Sequence, residues 1–215
     1  MSRKRKPTPA AAGAAQRDDE VRRRIQQATF ELLTKRGYAG ASTLEIATRA
    51  KVSKRELYAL FRDRQAILAA CIAERVKTMQ APDQLPAVQD SAALEKVLRS
   101  FGATVLRTLS HPAVSAMFRL AIAESERSPE IARALDAFGR GPTQEVLVTF
   151  LASARSAGLL AGSEPALMAE QFFALLWGGL RVRLLLRLAA TPDEDEIGRR
   201  AQVASAAFLR LHGRG

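Results

Sequence analysis

The chain has 215 residues, 47% of them hydrophobic, so it can bury a sizeable core and is not intrinsically disordered. Its one cysteine, Cys71, excludes an intramolecular disulfide and favours a reducing compartment, so we expect a cytoplasmic protein. The formal net charge is +11, and residues 1–64 alone hold 16 Lys and Arg against 7 Asp and Glu, which favours a polyanionic partner.

Residues 1–17 are predicted to form a flexible basic arm, because they lack a periodic apolar pattern. This arm either contacts DNA or is a disordered leader, and its charge alone does not separate the two. Its Ala-rich stretch lacks the large apolar residues of a signal peptide. The longest strongly apolar run, Phe172 to Leu180, is about half of the roughly 18 residues that indicate a membrane span. We therefore expect a soluble protein with no membrane partner.

Apolar residues recur at helical spacing in the rest of the chain, and no alternating strand pattern is found. The predicted fold class is therefore all-α. Gly178 and Gly179 lie inside a predicted apolar helix, where they suggest close backbone packing in the core or across a dimer interface. Outside the segment 42–61, the helices are predicted at about 18–36, 63–79, 94–109, 112–122, 129–158 with an interruption near 139–142, 164–190 and 193–211.

Two short helices are predicted between residues 42 and 60. Ser42 and Glu45 have the spacing of a capping box that begins the first helix, and Ser53 can cap the second. About three residues separate the helices, which is typical of a helix-turn-helix. In such a unit the second helix enters the major groove, so its outward side chains decide which bases are read. Here Lys54 and Arg55 can donate to guanine, and the carboxylate of Glu56 can accept from cytosine N4.

The segment 37–61 resembles the N-terminal domain of the tetracycline-repressor (TetR) family, and the close match covers about residues 21–76. The family elements occur here in order: Gly37-Tyr38, a capped helix with Ile46-Ala47, Val52-Ser53, and Leu57-Tyr58-x-x-Phe61. The resemblance implies a domain of three helices over 18–62 that binds double-stranded DNA, followed by a larger helical domain over 63–215. The implied contacts are to phosphate from Ser42, Thr43 and Tyr58 and to bases or phosphate from Lys54, Arg55 and Glu56, with Ser53 and Arg64 completing the predicted DNA-binding set.

Two positions depart from the family pattern. Lys51 stands at the turn position that is usually Gly, and a left-handed backbone there would carry strain of about 1 kcal/mol. Glu56 replaces a small residue, and its charge would repel nearby phosphates. We therefore expect Glu56 either to read a cytosine or to point away from the DNA.

Residues 118–180 resemble the C-terminal domain of the AefR-like branch of the family, on the segments 124–130, 158–160 and 169–172. The resemblance implies a repressor that forms a homodimer through about 164–211, binds a partly palindromic operator and responds to an unknown small-molecule effector. Because the residues after 64 are nearly charge-balanced and rich in apolar side chains, we expect a small apolar effector. The candidate pocket residues, each of which could instead simply pack in the core, are Phe101, Val105, Met117, Phe118, Phe138, Phe150, Phe172 and Trp177.

An enzyme is disfavoured, because the two histidines, His111 and His212, and the single cysteine form no catalytic motif or metal-ligand cluster in the sequence. No cofactor or metal is predicted. The alternative function is a ligand-independent or non-specific DNA-binding protein, which would share the charge asymmetry but bind scrambled and specific DNA equally.

Overall fold

The computed structural model describes residues 9–36, 40–78, 84–127, 129–137 and 141–214. Within these ranges the chain is helical, and the only strand-like pairing is an isolated bridge between Leu160 and Gly213. The helices are α1 Pro9–Arg36, α2 Thr43–Ala50, α3 Lys54–Leu60, α4 Arg64–Thr78, α5 Ser91–Ser110, α6 Pro112–Ala123, α7 Pro129–Leu135, α8 Gly141–Ser156, α9 Pro165–Trp177, α10 Leu180–Leu185 and α11 Glu194–His212. The all-α prediction is confirmed. No helix in the described ranges is long and apolar enough to cross a membrane.

The first helix begins nine residues earlier than the sequence pattern predicts. Residues 9–17 belong to α1, whereas we expected them to lie in the flexible arm; residues 1–8 lie outside the described part of the chain. The helical conformation of residues 9–17 has a local cause, because most of residues 10–15 are alanines. Alanine favours a helix without contributing to an apolar stripe, so periodicity gave no signal there.

The chain divides into two compact units between residues 74 and 75. The start of α4 is part of the first unit because it packs on α1. The Gln26 side chain donates to the carbonyl of Ala70 at 3.3 Å, and the Cys71 thiol donates to the carbonyl of Gln26 at 3.4 Å. Cys71 is buried, as expected for a cysteine that packs in a core.

The core of the second unit is built mainly from α5, α8, α9 and α11. Phe172 of α9 is fully buried, with its ring 5.7 Å from that of Phe208 in an edge-to-face arrangement. Gly102 of α5 allows the close approach of α9, because a Cβ atom there would lie 3.1 Å from Leu176 Cδ1. The unit is therefore held by apolar packing between residues that are distant in sequence.

The helix predicted over 164–190 is broken after Trp177. Gly178 adopts a φ of 46° and ψ of −131°, which disfavours any residue with a Cβ atom, and α10 begins two residues later. A Cβ atom at Gly178 or Gly179 would meet nothing within 4 Å. The expectation that these glycines allow close packing in the core is therefore wrong, and Gly178 instead permits a change in chain direction.

Candidate nucleic-acid interface

The first helix of the predicted helix-turn-helix, α2, is capped by Ser42 and buries one face. The Ser42 hydroxyl accepts from the Glu45 amide at 3.2 Å. The apolar face consists of Ile46, Ala47 and Ala50, all buried. The Glu45 carboxylate does not complete the predicted capping box, because it pairs with Arg36 at 3.1 Å. The Glu45 carboxylate therefore contacts Arg36 of α1 instead of the backbone amide at its own helix start.

The backbone of Lys51, in the turn between the helices, is left-handed, with φ of 54° and ψ of 49°. The Lys51 amide donates to Thr48 O at 3.2 Å, and the Val52 amide donates to Ala47 O at 3.0 Å. These two bonds form a Schellman motif, which satisfies the last carbonyls of α2. The position usually occupied by glycine is therefore held by a lysine with a strained backbone.

The second helix, α3, carries the complete capping box. The Ser53 hydroxyl accepts from the Glu56 amide at 3.1 Å, and the Glu56 carboxylate accepts from the Ser53 amide at 2.8 Å. The hydrogen bond from the Ser53 amide lowers the pKa of Glu56. We predicted the capping box at Ser42 and Glu45, at the start of α2, whereas the structure has it at the start of α3. The Glu56 carboxylate turns back onto the backbone amide of Ser53 at the start of its own helix.

The outward face of α3 is exposed and basic. Leu57 is fully buried beneath it, while Lys54, Arg55 and Tyr58 are exposed. The Tyr58 hydroxyl lies 3.5 Å from the Thr43 hydroxyl at the start of α2. Two of the three hydroxyls predicted to contact phosphate are therefore adjacent, although they are 15 residues apart in sequence.

Arg64 has a different position from the other predicted DNA-binding residues. It is half-buried, and its Nε donates to the carbonyl of Ala41 at 2.9 Å, immediately before Ser42. This bond joins the start of α4 to the chain entering α2. Arg64 therefore positions the loop that leads to the hydroxyls of Ser42 and Thr43.

Sequence analysis missed the ion pairs that brace α2. Arg49 donates from Nε to Glu31 of α1 at 2.7 Å, and this bond lowers the pKa of the Glu31 carboxyl. Together with the pair between Arg36 and Glu45, it joins α1 to both ends of α2. These pairs link residues 9 and 18 positions apart, so helical spacing could not indicate them.

The predicted effector-pocket residues are distributed over several environments. Phe101, Val105, Phe150 and Phe172 belong to the buried core of the second unit, and Trp177 packs against it. Met117 is buried in α6. Phe138 lies outside the described residues.

Phe118 lines an open cavity of about 340 Å³ between α6 and α7. The surrounding residues are mostly apolar: Ala121, Ile122, Ser125, Ala132, Leu135 and Asp136. The guanidinium of Arg181 lies 3.9 Å from the centroid of the Phe118 ring and donates to Leu109 O at 3.0 Å. Burial lowers the pKa of Arg181 to about 10, so the side chain stays charged at neutral pH.

Two capped helices joined by a tight turn, with an exposed basic face on the second, define a helix-turn-helix DNA-binding protein. Residues 25–71 match the family described as bacterial regulatory proteins, tetR family. Residues 96–214 match the family described as AefR-like transcriptional repressor, C-terminal domain. The chain therefore belongs to the TetR family of transcriptional regulators, which are transcription factors rather than enzymes.

Similar proteins extend over most of the chain. The HTH-type transcriptional regulator YvkB of Bacillus subtilis is 24% identical over 174 residues, which are 80% of this chain and 88% of YvkB. A TetR transcriptional regulator from Agrobacterium tumefaciens has a crystal structure with a TM-score of 0.82 and 27% identity, covering 90% of this chain and 94% of that one. The flavonoid-responsive regulator FrrA has a TM-score of 0.71 and 30% identity, covering 91% of this chain and 98% of that one.

Proposed function

We propose that the chain is a repressor that binds a partly palindromic operator as a homodimer and is released by a small, mostly apolar effector. The observation that carries the DNA-binding part is the exposed basic face of α3, which the capping box of Ser53 and Glu56 fixes. Lys54 and Arg55 stand at its first turn, where a recognition helix meets base edges. The adjacent hydroxyls of Thr43 and Tyr58 suit the neighbouring phosphates.

Exposed apolar side chains support a homodimer through about 164–211. Monomeric proteins rarely expose many large apolar residues in one region, and such surfaces mark interaction sites. A second copy would cover them in a two-fold interface, which also pairs the two reading heads with the two halves of a palindrome. The exposed residues on and beside α9, α10 and α11 are Leu167, Leu175, Val182, Leu186, Leu188, Val203 and Leu211.

The cavity between α6 and α7 is the proposed effector site. Its apolar lining suits an aromatic or aliphatic molecule, and Phe118 offers a ring on which an aromatic ligand can stack. The name of FrrA describes a response to flavonoids in that protein, so flavonoids are the first class to test here. An effector that binds the DNA-free conformer more tightly weakens DNA binding, and DNA weakens effector binding by the same factor.

Selection from a random duplex DNA library with the purified full chain tests operator recognition. We expect enrichment of one motif with two-fold symmetry, and binding as one dimer or a pair of dimers. Equal binding of the enriched motif and a scrambled duplex of the same composition would contradict sequence-specific recognition. It would favour the alternative of a non-specific DNA-binding protein.

Thermal shift and operator release, measured together on flavonoids, aliphatic compounds and highly charged compounds, test the effector. A ligand of the folded dimer stabilises it by about 2.7 kcal/mol at a hundredfold excess over Kd. We expect release from DNA over the same concentration range. Ala132→Phe, which fills the cavity, should abolish both responses, while the exposed control Ala157→Phe should keep them. Responses confined to highly charged compounds would contradict an apolar effector.

A further inference from the structure

Leu44 is a large apolar side chain exposed on an otherwise polar surface. Its side chain is 59% exposed, and it follows Thr43 in the first turn of α2. With Thr48, which is also exposed, it lies on the side of α2 away from the buried residues Ile46 and Ala47. Scattered exposed leucines are normal on protein surfaces, so exposure alone indicates nothing. The position of Leu44 relative to the basic face of α3 is what makes it informative.

One contact places the first turn of α2, which includes Leu44, beside that face. The Thr43 hydroxyl lies 3.5 Å from the hydroxyl of Tyr58, so the first turn of α2 adjoins the exposed side of α3. The Thr48 hydroxyl donates to the backbone oxygen of Leu44 at 2.8 Å. This bond lies within α2 and does not involve the Leu44 side chain. A DNA duplex that meets Arg55 and Tyr58 therefore passes close to Leu44.

The chemistry of the side chain limits what it can recognise. Leucine has no donor or acceptor, so it cannot read guanine, cytosine or adenine by hydrogen bonds, and a phosphate would gain nothing from it. In the major groove, the apolar group that distinguishes one base is the C5-methyl of thymine. We propose that Leu44 contacts the C5-methyl group of a thymine in each half-site and thereby specifies that base. This inference rests on the proposed function.

Replacing single thymines by uracil in the selected operator removes the methyl group alone. Burying one methyl group is worth about fourfold in affinity. We expect uracil at one position of a half-site to weaken binding of the unaltered protein by about this factor. Leu44→Ala should bind the thymine operator correspondingly more weakly and should no longer distinguish thymine from uracil at that position. Uracil at the other thymines should affect both proteins equally.

Thr48→Ala is the matched control, because it alters the same exposed side of α2 and should retain the discrimination between thymine and uracil. Since Leu44 is exposed, Leu44→Ala should keep the melting temperature of the unaltered protein, and this is checked by circular dichroism. If Leu44→Ala discriminates thymine from uracil as the unaltered protein does at every position, the inference is wrong. The inference would also be wrong if Leu44→Ala bound the thymine and uracil operators with equally reduced affinity and lost cooperativity. That result would favour a contact between neighbouring dimers.

Failure of the proposed function gives a different result. In that case the selection would enrich no motif, or Leu44→Ala and the unaltered protein would bind scrambled duplexes as tightly as the selected one. If only the thymine contact is wrong, the selection still enriches an operator, and the protein still binds that operator more tightly than scrambled DNA. The two failures are therefore distinguished by the scrambled duplex.

Discussion

The helix starts of the helix-turn-helix are fixed by local contacts, whereas the core of the helical unit over 84–214 is held by contacts between residues that are distant in sequence. In α2 and α3, side chains such as Ser42 and Ser53 bond to amides three residues away. In the second unit, buried rings such as those of Phe172 and Phe208 meet across 36 positions of sequence, 5.7 Å apart. Locally fixed residues can be exposed and varied without unfolding their helix, whereas the shape of the second unit depends on many distant contacts at once. We therefore expect the proposed DNA recognition to depend on individual side chains, and the proposed effector site to depend on packing.

We expect the largest difference between the two regions in their response to salt, which should weaken DNA binding much more than it changes the stability of the second unit. If the dimer neutralises roughly 6 to 10 phosphates, operator affinity falls by about 10³ to 10⁵ between 50 and 200 mM salt, because counterions are released. The unfolding free energy of the second unit, whose core is apolar, should change little over this range. Fluorescence anisotropy and urea unfolding in the same buffers measure both. Operator affinity that is nearly flat with salt would contradict a phosphate-dominated interface.

Removing a core ring tests the packing side of the comparison. Phe172→Ala should lower the free energy of unfolding by about 3 to 5 kcal/mol, because it leaves a cavity among fully buried neighbours. Phe173→Ala, at a partly buried neighbouring position, is the control and should cost less. Urea unfolding monitored by Trp177 fluorescence measures both losses. Equal losses would mean that the site relaxes around the missing ring.

Removing a cap tests the local side. Ser53→Ala should destabilise α3 by about 1 kcal/mol, while Ser53→Gly should cost only a few tenths, because glycine is itself tolerated at the N-cap. Hydrogen exchange of the α3 amides reports the local loss. If alanine and glycine destabilise α3 equally, the capping hydroxyl does not contribute the stability that the geometry indicates.

The smallest expected effect comes from the turn. Lys51→Gly should stabilise the first unit by a few tenths of a kcal/mol, since relief of the left-handed backbone is partly offset by the greater freedom of glycine when unfolded. Lys51→Ala, which keeps the Cβ atom, should give no such gain. Thermal unfolding of the first unit compares them, and a gain of the same size in Lys51→Ala would show that lost charge, rather than relieved strain, is responsible.

The same difference between local and distant contacts explains what the sequence could predict. Ser42 and Ser53 mark the helix starts because caps act over three residues. The capping box was placed at the wrong serine because Arg36, which is distant in sequence, takes the Glu45 carboxylate. The break at Gly178 was missed because apolar residues continue across it.

The proposed effector pocket was the least predictable part. Phe101 and Phe118 are both aromatic residues on apolar helices, and no local pattern separates one from the other. The structure buries Phe101 in the core and leaves Phe118 on a cavity wall, with the guanidinium of Arg181 stacked on its ring. Packing against helices that are far apart in sequence decides whether an aromatic ring is buried in the core or lines a cavity.

The central claim is that exposed side chains of α3 contact bases, while the neighbouring hydroxyls of Thr43 and Tyr58 contact phosphates. The most direct test compares Arg55→Ala with Tyr58→Phe on the selected operator and on all its single-base variants. Arg55→Ala should reduce discrimination by about 1 to 3 kcal/mol at one or two positions, whereas Tyr58→Phe should weaken all sequences alike. An Arg55→Ala protein whose base-preference profile is unchanged would contradict the claim.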